Sequence, residues 1–213
     1  MKTSSILAHR GLFNSNAEKN SLTAIHRALQ SGFGLETDVR DLDGSLVISH
    51  DPPSFKSSPM SLHALLEMIN VLSTKPRIAL NIKSDGLLNL LNSDLLLLEL
   101  TKNIFLFDMS VPDAVQYFGS SLTTYGRISE YESLNLLPHI SGFWIDNFNG
   151  NFPQVEAAIS LLAGVLRVCL VSSELHRRTY LPLWKEILKA GICHHPSFEI
   201  CTDHPLEALN FFS

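Results

Sequence analysis

"GLETDVRDLDGSLVISHD", residues 34–51, sets Glu36, Asp38, Arg40, Asp41, Asp43, His50 and Asp51 among Leu35, Val39, Leu46, Val47 and Ile48. Alternating apolar and polar residues have the period of a strand, whose successive side chains point to opposite faces. Leu35, Thr37 and Val39 therefore share one face, and Glu36 and Asp38 share the other. Asp43-Gly44 is a hairpin signal, because both central residues of the favoured two-residue turn need positive φ. The stretch reads as a strand, a tight turn and a short returning arm, "SLVISHD", that ends on His50-Asp51.

Outward from this segment, short apolar runs recur along the chain: "SILAHRG", "RIALNIKS", "NIFLFDMS", "LTTYGRIS", "GFWIDNF", "LRVCLVSSE" and "GICHHPSFEICTD". Helical patterns fall between most of them. In "NSLTAIHRALQSG", Leu22, Ile25 and Leu29 line one face, Asn20 or Ser21 is the N-cap, and Gly32 is the stop. "SLHALLEMINVL", "VPDAVQYFG", "FPQVEAAISLLAG" and "LPLWKEILKAG" read as helices too. Strand–helix alternation predicts an α/β protein with a parallel sheet. With the hairpin arm set aside, eight strands remain. They predict a (β/α)8 TIM barrel over residues 1–213, a short single-domain version with a β-hairpin after strand 2. A doubly wound open sheet is the rival, and no glycine-rich phosphate loop or dinucleotide fingerprint supports it.

The 213 residues are 45% hydrophobic, enough for one sizeable core, and the net charge is −5. A mildly acidic chain without Lys/Arg runs lacks the electrostatic footprint of a nucleic-acid binder or an anionic-membrane partner. No apolar run reaches the roughly 18 residues that span a bilayer. The N-terminus has no signal-peptide core. Cys169, Cys193 and Cys201 are odd in number and show no C-x-x-C spacing, so reduced thiols and a cytoplasmic location are expected.

Barrel enzymes carry their chemistry at the C-terminal ends of the strands. Here those ends hold His9-Arg10, Glu36 with Asp38, Asn81 with Lys83, Asp108, Arg127, Asp146, Glu174 with His176, and Asp203. Taken singly, each has a bland reading. An E-x-D strand is usually a solvated face, Lys83 can pair with Asp85, and "TDHP" can be only a helix start capped by Thr202 or Asp203. The recurrence at successive strand ends favours a site. Two buried carboxylates on one face need a cation or a proton to persist, and their oxygens suit a hard divalent ion such as Mg²⁺ or Ca²⁺. His9 and His50 would then flank a ligand on that ion as a general acid/base pair.

In the order His9-Arg10, Glu36-Thr37-Asp38, His50-Asp51, with "CTDHP" near the end, these residues resemble the glycerophosphodiester phosphodiesterase family of the phospholipase C-like phosphodiesterase superfamily. "LNIK", "FDMS" and "SELH" are similar to a small bacterial branch, some of whose members are associated with surface-polysaccharide loci. The resemblance implies a (β/α)8 barrel and a metal-dependent hydrolase of a small phosphodiester substrate. It makes Glu36 and Asp38 ligands of Mg²⁺ or Ca²⁺ and His9 and His50 the catalytic pair. Arg10 and Lys83 become phosphate-binding residues. It also offers Asp108, Arg127, Glu130, Asp146, Glu174 and His176 as substrate contacts. The chain departs from the pattern twice. Asn81 replaces the glutamate of E-x-K, so an amide becomes the third candidate metal ligand, and "EKN", Glu18-Lys19-Asn20, stands where the family has P-E-N. Two other readings remain: a non-catalytic barrel that binds phospho-ligands, and a phosphotransferase acting on surface-polysaccharide precursors.

Overall fold

The computed structural model describes residues 1–133, 139–164 and 166–213. The strands are β1 (Ile6–His9), β2 (Gly34–Leu42), β3 (Ser45–Ile48), β4 (Ile78–Ile82), β5 (Ile104–Phe107), β6 (Tyr125–Ile128), β7 (Gly142–Ile145), β8 (Arg167–Val171) and β9 (Phe198–Thr202). Around them run α1 (Leu22–Gln30), α2 (Leu62–Asn70), α3 (Leu88–Ser93), α4 (Leu95–Glu99), α5 (Val111–Ala114), α6 (Gln154–Ala163), α7 (Leu181–Ala190) and α8 (Pro205–Phe211).

Every strand read from the sequence is present. The order β5-β4-β2-β1-β9-β8-β7-β6 is parallel throughout, and β3 pairs antiparallel with β2, off this path. Among the described residues one isolated parallel bridge, Leu106 to Thr124, links the β5 and β6 sides, so the eight strands form a nearly closed (β/α)8 barrel. Asp43 and Gly44 take positive φ, +52° and +78°, in the hairpin turn.

Local chemistry explains the helix ends. Ser21 Oγ accepts from Ala24 N–H at the start of α1, and Ser61 Oγ does the same for Ala64 before α2. Gly191 closes α7 at φ +71°. One region was not legible as helices. Residues 95–107 read in the sequence as an apolar run broken by Glu99 and Lys102, and residues 88–94 carry no predicted element, but Asp94 accepts from Leu96 and Leu97 N–H, ending α3 and starting α4. "TDHP" does start a helix, and Thr202 Oγ1 accepts from His204 N–H there, while the Asp203 carboxylate is used elsewhere.

Strand parity sorts the side chains. Leu35 and Val39 of β2 and Leu80 and Ile82 of β4 pack outward with Leu62, Leu65, Leu66 and Ile69 of α2. Leu7, Ala79, Phe105, Phe107, Tyr125, Trp144, Cys169, Val171 and Cys201 form a separate interior cluster. Phe105 stacks on Tyr125 and Phe107 on Trp144 across β5–β7, with centroids 3.8 and 3.9 Å apart. Burial of each such side chain stabilises the fold by about 1.5–3 kcal/mol. This apolar layer separates two polar ones. At the N-terminal end, Glu199 accepts from Arg77 and Arg167, and both guanidiniums also donate to the Tyr125 hydroxyl. At the C-terminal end lie the charged strand ends.

Candidate active site

The site begins where β1 stops. Arg10 sits at φ +58° and Gly11 at φ +98°. A Cβ on Gly11 would come within 2.7 Å of the Ala24 backbone, so the "HRG" turn needs glycine to approach α1. Arg10 N–H donates to Glu36 O, and Asn20 N–H donates to Arg10 O, both at 2.8–2.9 Å. Asn20, also at positive φ, uses its side chain as a bridge. Its Nδ2 donates to Asp38 Oδ2 at 2.8 Å, and its Oδ1 accepts from Thr37 Oγ1 at 2.8 Å. Sequence reading took Asn20 as a possible helix cap; Ser21 does that work, which frees the Asn20 amide to hold Asp38.

Glu36 and Asp38 are 1% and 0% exposed, with Asn81 paired in register to Asp38 on the adjacent strand. Arg10 Nε lies 2.9 Å from Asp38 Oδ2 and Lys83 Nζ lies 3.6 Å from Asp38 Oδ1. Among the described residues, Glu36 Oε2, Asp38 Oδ1 and Asn81 Oδ1 are buried without a hydrogen-bond partner. Burial, and then the charge of Asp38, push the Glu36 carboxyl up to about 8, against the pull of Arg10 and Lys83. His9 contacts both sides of the cluster: Nδ1 is 2.6 Å from Asp203 Oδ1 and Nε2 is 3.9 Å from Glu36 Oε2. Burial lowers the His9 pKa despite the Asp203 partner. Burial acts to raise the Asp203 pKa, but the hydrogen bonds from His9 and Lys19 together outweigh it and hold that carboxyl below its ordinary range.

A charged chain continues round the mouth. Lys83 donates to Asp108 Oδ2 at 3.3 Å, Arg127 pairs with Asp108, and Arg127 also forks onto Glu132. Lys83 thus donates to Asp108 and lies at ion-pair distance from Asp38, while Asp85 accepts from Ser110. His176 Nε2 pairs with Asp146 and sets its ring against Phe148. Glu130 accepts the backbone N–H groups of Phe148 and Asn149. Glu174 spends both oxygens inside the protein, on Ser172, Thr202 and the Asp203 N–H.

A cleft of about 1090 Å³ opens over this end, with Arg10, Lys19, Asn20, His50, Asp51 and Asp203 among its walls. His50 is half-exposed there. Its Nδ1 is 2.9 Å from Asp51 Oδ1, and Arg40 Nε donates to its carbonyl. His9 and the inner acids connect to the wall through Asp203, Arg10 and Asn20. Sequence reading missed Lys19 as a member of this group; the "EKN" departure was the available signal.

Among the described residues no three His, Cys, Asp or Glu side chains converge as a metal cluster. The candidate set is two carboxylates and one amide. Three buried oxygens lacking protein donors fit a hard divalent cation, which takes oxygen ligands of this kind. No helix among the described residues is long and apolar enough to cross a membrane.

No protein-family model and no curated protein matches the chain. Solved structures do. A protein from Galdieria sulphuraria assigned as a glycerophosphodiester phosphodiesterase superposes with a TM-score of 0.72 at 15% identity, over 98% of this chain and 97% of that one. A Ca²⁺-dependent phosphatidylinositol-specific phospholipase C from Streptomyces antibioticus superposes with a TM-score of 0.60 at 12% identity, over 100% and 98%. At such identities the likeness is one of fold. The chain shares its (β/α)8 barrel fold with these two proteins.

Proposed function

We propose that the protein is a metal-dependent phosphodiester hydrolase, one barrel domain acting on a glycerophosphodiester-like or related small substrate. The observation that carries this reading is the set of three buried oxygens, on Glu36, Asp38 and Asn81, that have no hydrogen-bond partner among the described residues, beside His9 and the cations Arg10 and Lys83. Mg²⁺ or Ca²⁺ held by those oxygens would supply positive charge to a phosphate oxygen; the Streptomyces neighbour is itself described as Ca²⁺-dependent. Arg10 and Lys83 orient the same phosphate. Asp203 accepts the Nδ1 proton of His9, which leaves the Nε2 lone pair free to take a proton from the nucleophile. His50, on the open wall of the cleft, then protonates the leaving alcohol. Asp108, Arg127, Asp146 and His176 contact the rest of the substrate at the rim.

A panel of phosphodiesters, assayed with EDTA and with added Mg²⁺ or Ca²⁺, tests the reading. Phosphomonoester or cyclic phosphate should form only with metal. Binding without turnover would replace hydrolysis by a binding role, and products joined to an added saccharide would make it a transferase.

A further inference from the structure

We infer that Lys19 is a positioning residue that acts on His9 through Asp203. The inference deepens the assignment of His9 as proton carrier and rests on it. Asp203 is held from three directions. Its N–H donates to Glu174 Oε1 at 3.0 Å, and Glu174 is fixed in turn by the Thr202 and Ser172 hydroxyls, with Ser172 Oγ accepting from the buried Trp184 ring N–H. These bonds place the Asp203 backbone and leave its carboxylate free to rotate. One oxygen meets His9 Nδ1 at 2.6 Å, and a single hydrogen bond does not fix a carboxylate plane. Lys19 Nζ donates to the other oxygen at 2.9 Å and fixes it.

Lys19 is itself built into place. Its N–H closes the short turn at residues 16–18 by donating to Asn16 O, and the next residue, Asn20, is locked at φ +61° by its bond to Arg10. The ammonium lies 4.6 Å from the centroid of the Phe13 ring, a cation–π contact that holds the stem. Among the described residues Asp203 is the one carboxylate at ion-pair distance from Lys19. The arrangement also divides the charge of the site. Arg10 and Lys83 attend Asp38, Lys19 attends Asp203, and Glu36 keeps no Lys or Arg partner at that range among the described residues. An acid at position 19, as in the P-E-N pattern, would face Asp203 with like charge.

The test uses the full chain with bis(4-nitrophenyl) phosphate and Ca²⁺ or Mg²⁺, comparing wild type, K19M, K19R, D203N and D203N/K19M. Lys19→Met keeps the stem and removes the charge. It should lower kcat by about 10–100-fold, the range for partners that orient a functional histidine, with KM within about twofold and the melting temperature unchanged. Lys19→Arg should recover most of the rate. On the Asp203→Asn background, adding K19M should change kcat by less than about twofold, because the two residues act as one unit. A raised KM with unchanged kcat would put Lys19 on the substrate instead and overturn the inference. Full additivity in the double variant would do the same. If wild type turns over no phosphodiester, the hydrolase reading fails and the His9 ring decides for Lys19. Its Nδ1 proton, seen by NMR, should exchange with water about tenfold faster in K19M, and an unchanged rate overturns the inference.

Discussion

At the N-terminal end of the barrel, Glu199 is fully buried between Arg77 and Arg167, and the Tyr125 hydroxyl completes the group. At the C-terminal end, Glu36 and Asp38 are just as deeply buried, yet each keeps an oxygen without a donor among the described residues. Both ends bear the desolvation cost of buried charge. The lower cluster offsets it with short, mutually satisfying contacts made entirely within the protein. The upper one leaves part of it uncompensated, and the Glu36 carboxyl answers by holding its proton to about 8. Buried charge that is fully paired is a structural tie, whereas buried charge left short of partners is prepared for something the chain does not itself supply.

The largest expected effect lies at the upper end. His9→Ala and His50→Ala should each lower turnover by roughly 10²–10⁴-fold while the protein stays folded. Steady-state kinetics beside a thermal melt reads both, and wild-type rates in the two variants would remove the proton-transfer assignment. Glu199→Ala should show the opposite pattern. It leaves two guanidiniums facing each other and should destabilise the fold by about 3 kcal/mol, the low end for a broken buried pair because Arg167 is 34% exposed. Urea unfolding measures the loss, and kcat of the folded fraction should hold. A stability close to wild type would show that the lower cluster is not the tie described above.

The smallest effect is a pH dependence. The folded protein keeps a proton on Glu36 that the unfolded chain loses near 4.5, so the folded state binds more protons between those limits. Metal-free stability should therefore fall as pH rises from about 4.5 through about 8, by at most about 1.4 kcal/mol per pH unit. Glu36→Gln should flatten that slope. Added Ca²⁺ should raise the wild-type melting temperature more in alkaline than in acidic buffer, because ion and proton compete for the same oxygens. Equal slopes in wild type and variant would mean that Glu36 is not the titrating group.

The strands were legible because parity is local. Glu36 and Asp38 had to share a face opposite Leu35 and Val39, and the Asp43-Gly44 turn had to return the chain, whatever the rest of the protein did. The helices around Asp94 were harder to read, since a short polar cap inside a leucine-rich run competes with the appearance of one continuous apolar stretch. The roles of polar side chains depended on distance along the chain. Lys83 had Asp85 nearby in sequence, yet it lies between Asp38 and Asp108.

The sequence by itself determined the alternation of strands and helices, the hairpin, the face on which the two acids stand and the sequence motifs that resemble the phosphodiesterases. Which polar groups meet was decided only by closing the barrel. His9 finds Asp203 across 194 residues, Lys19 finds the same carboxylate across 184, and Arg77 finds Glu199 across 122. Backbone periodicity is set by neighbours a few residues away and can be read from them. A charge pair is set by which strand ends the sheet brings side by side, and that order appears only once β9 lies against β1.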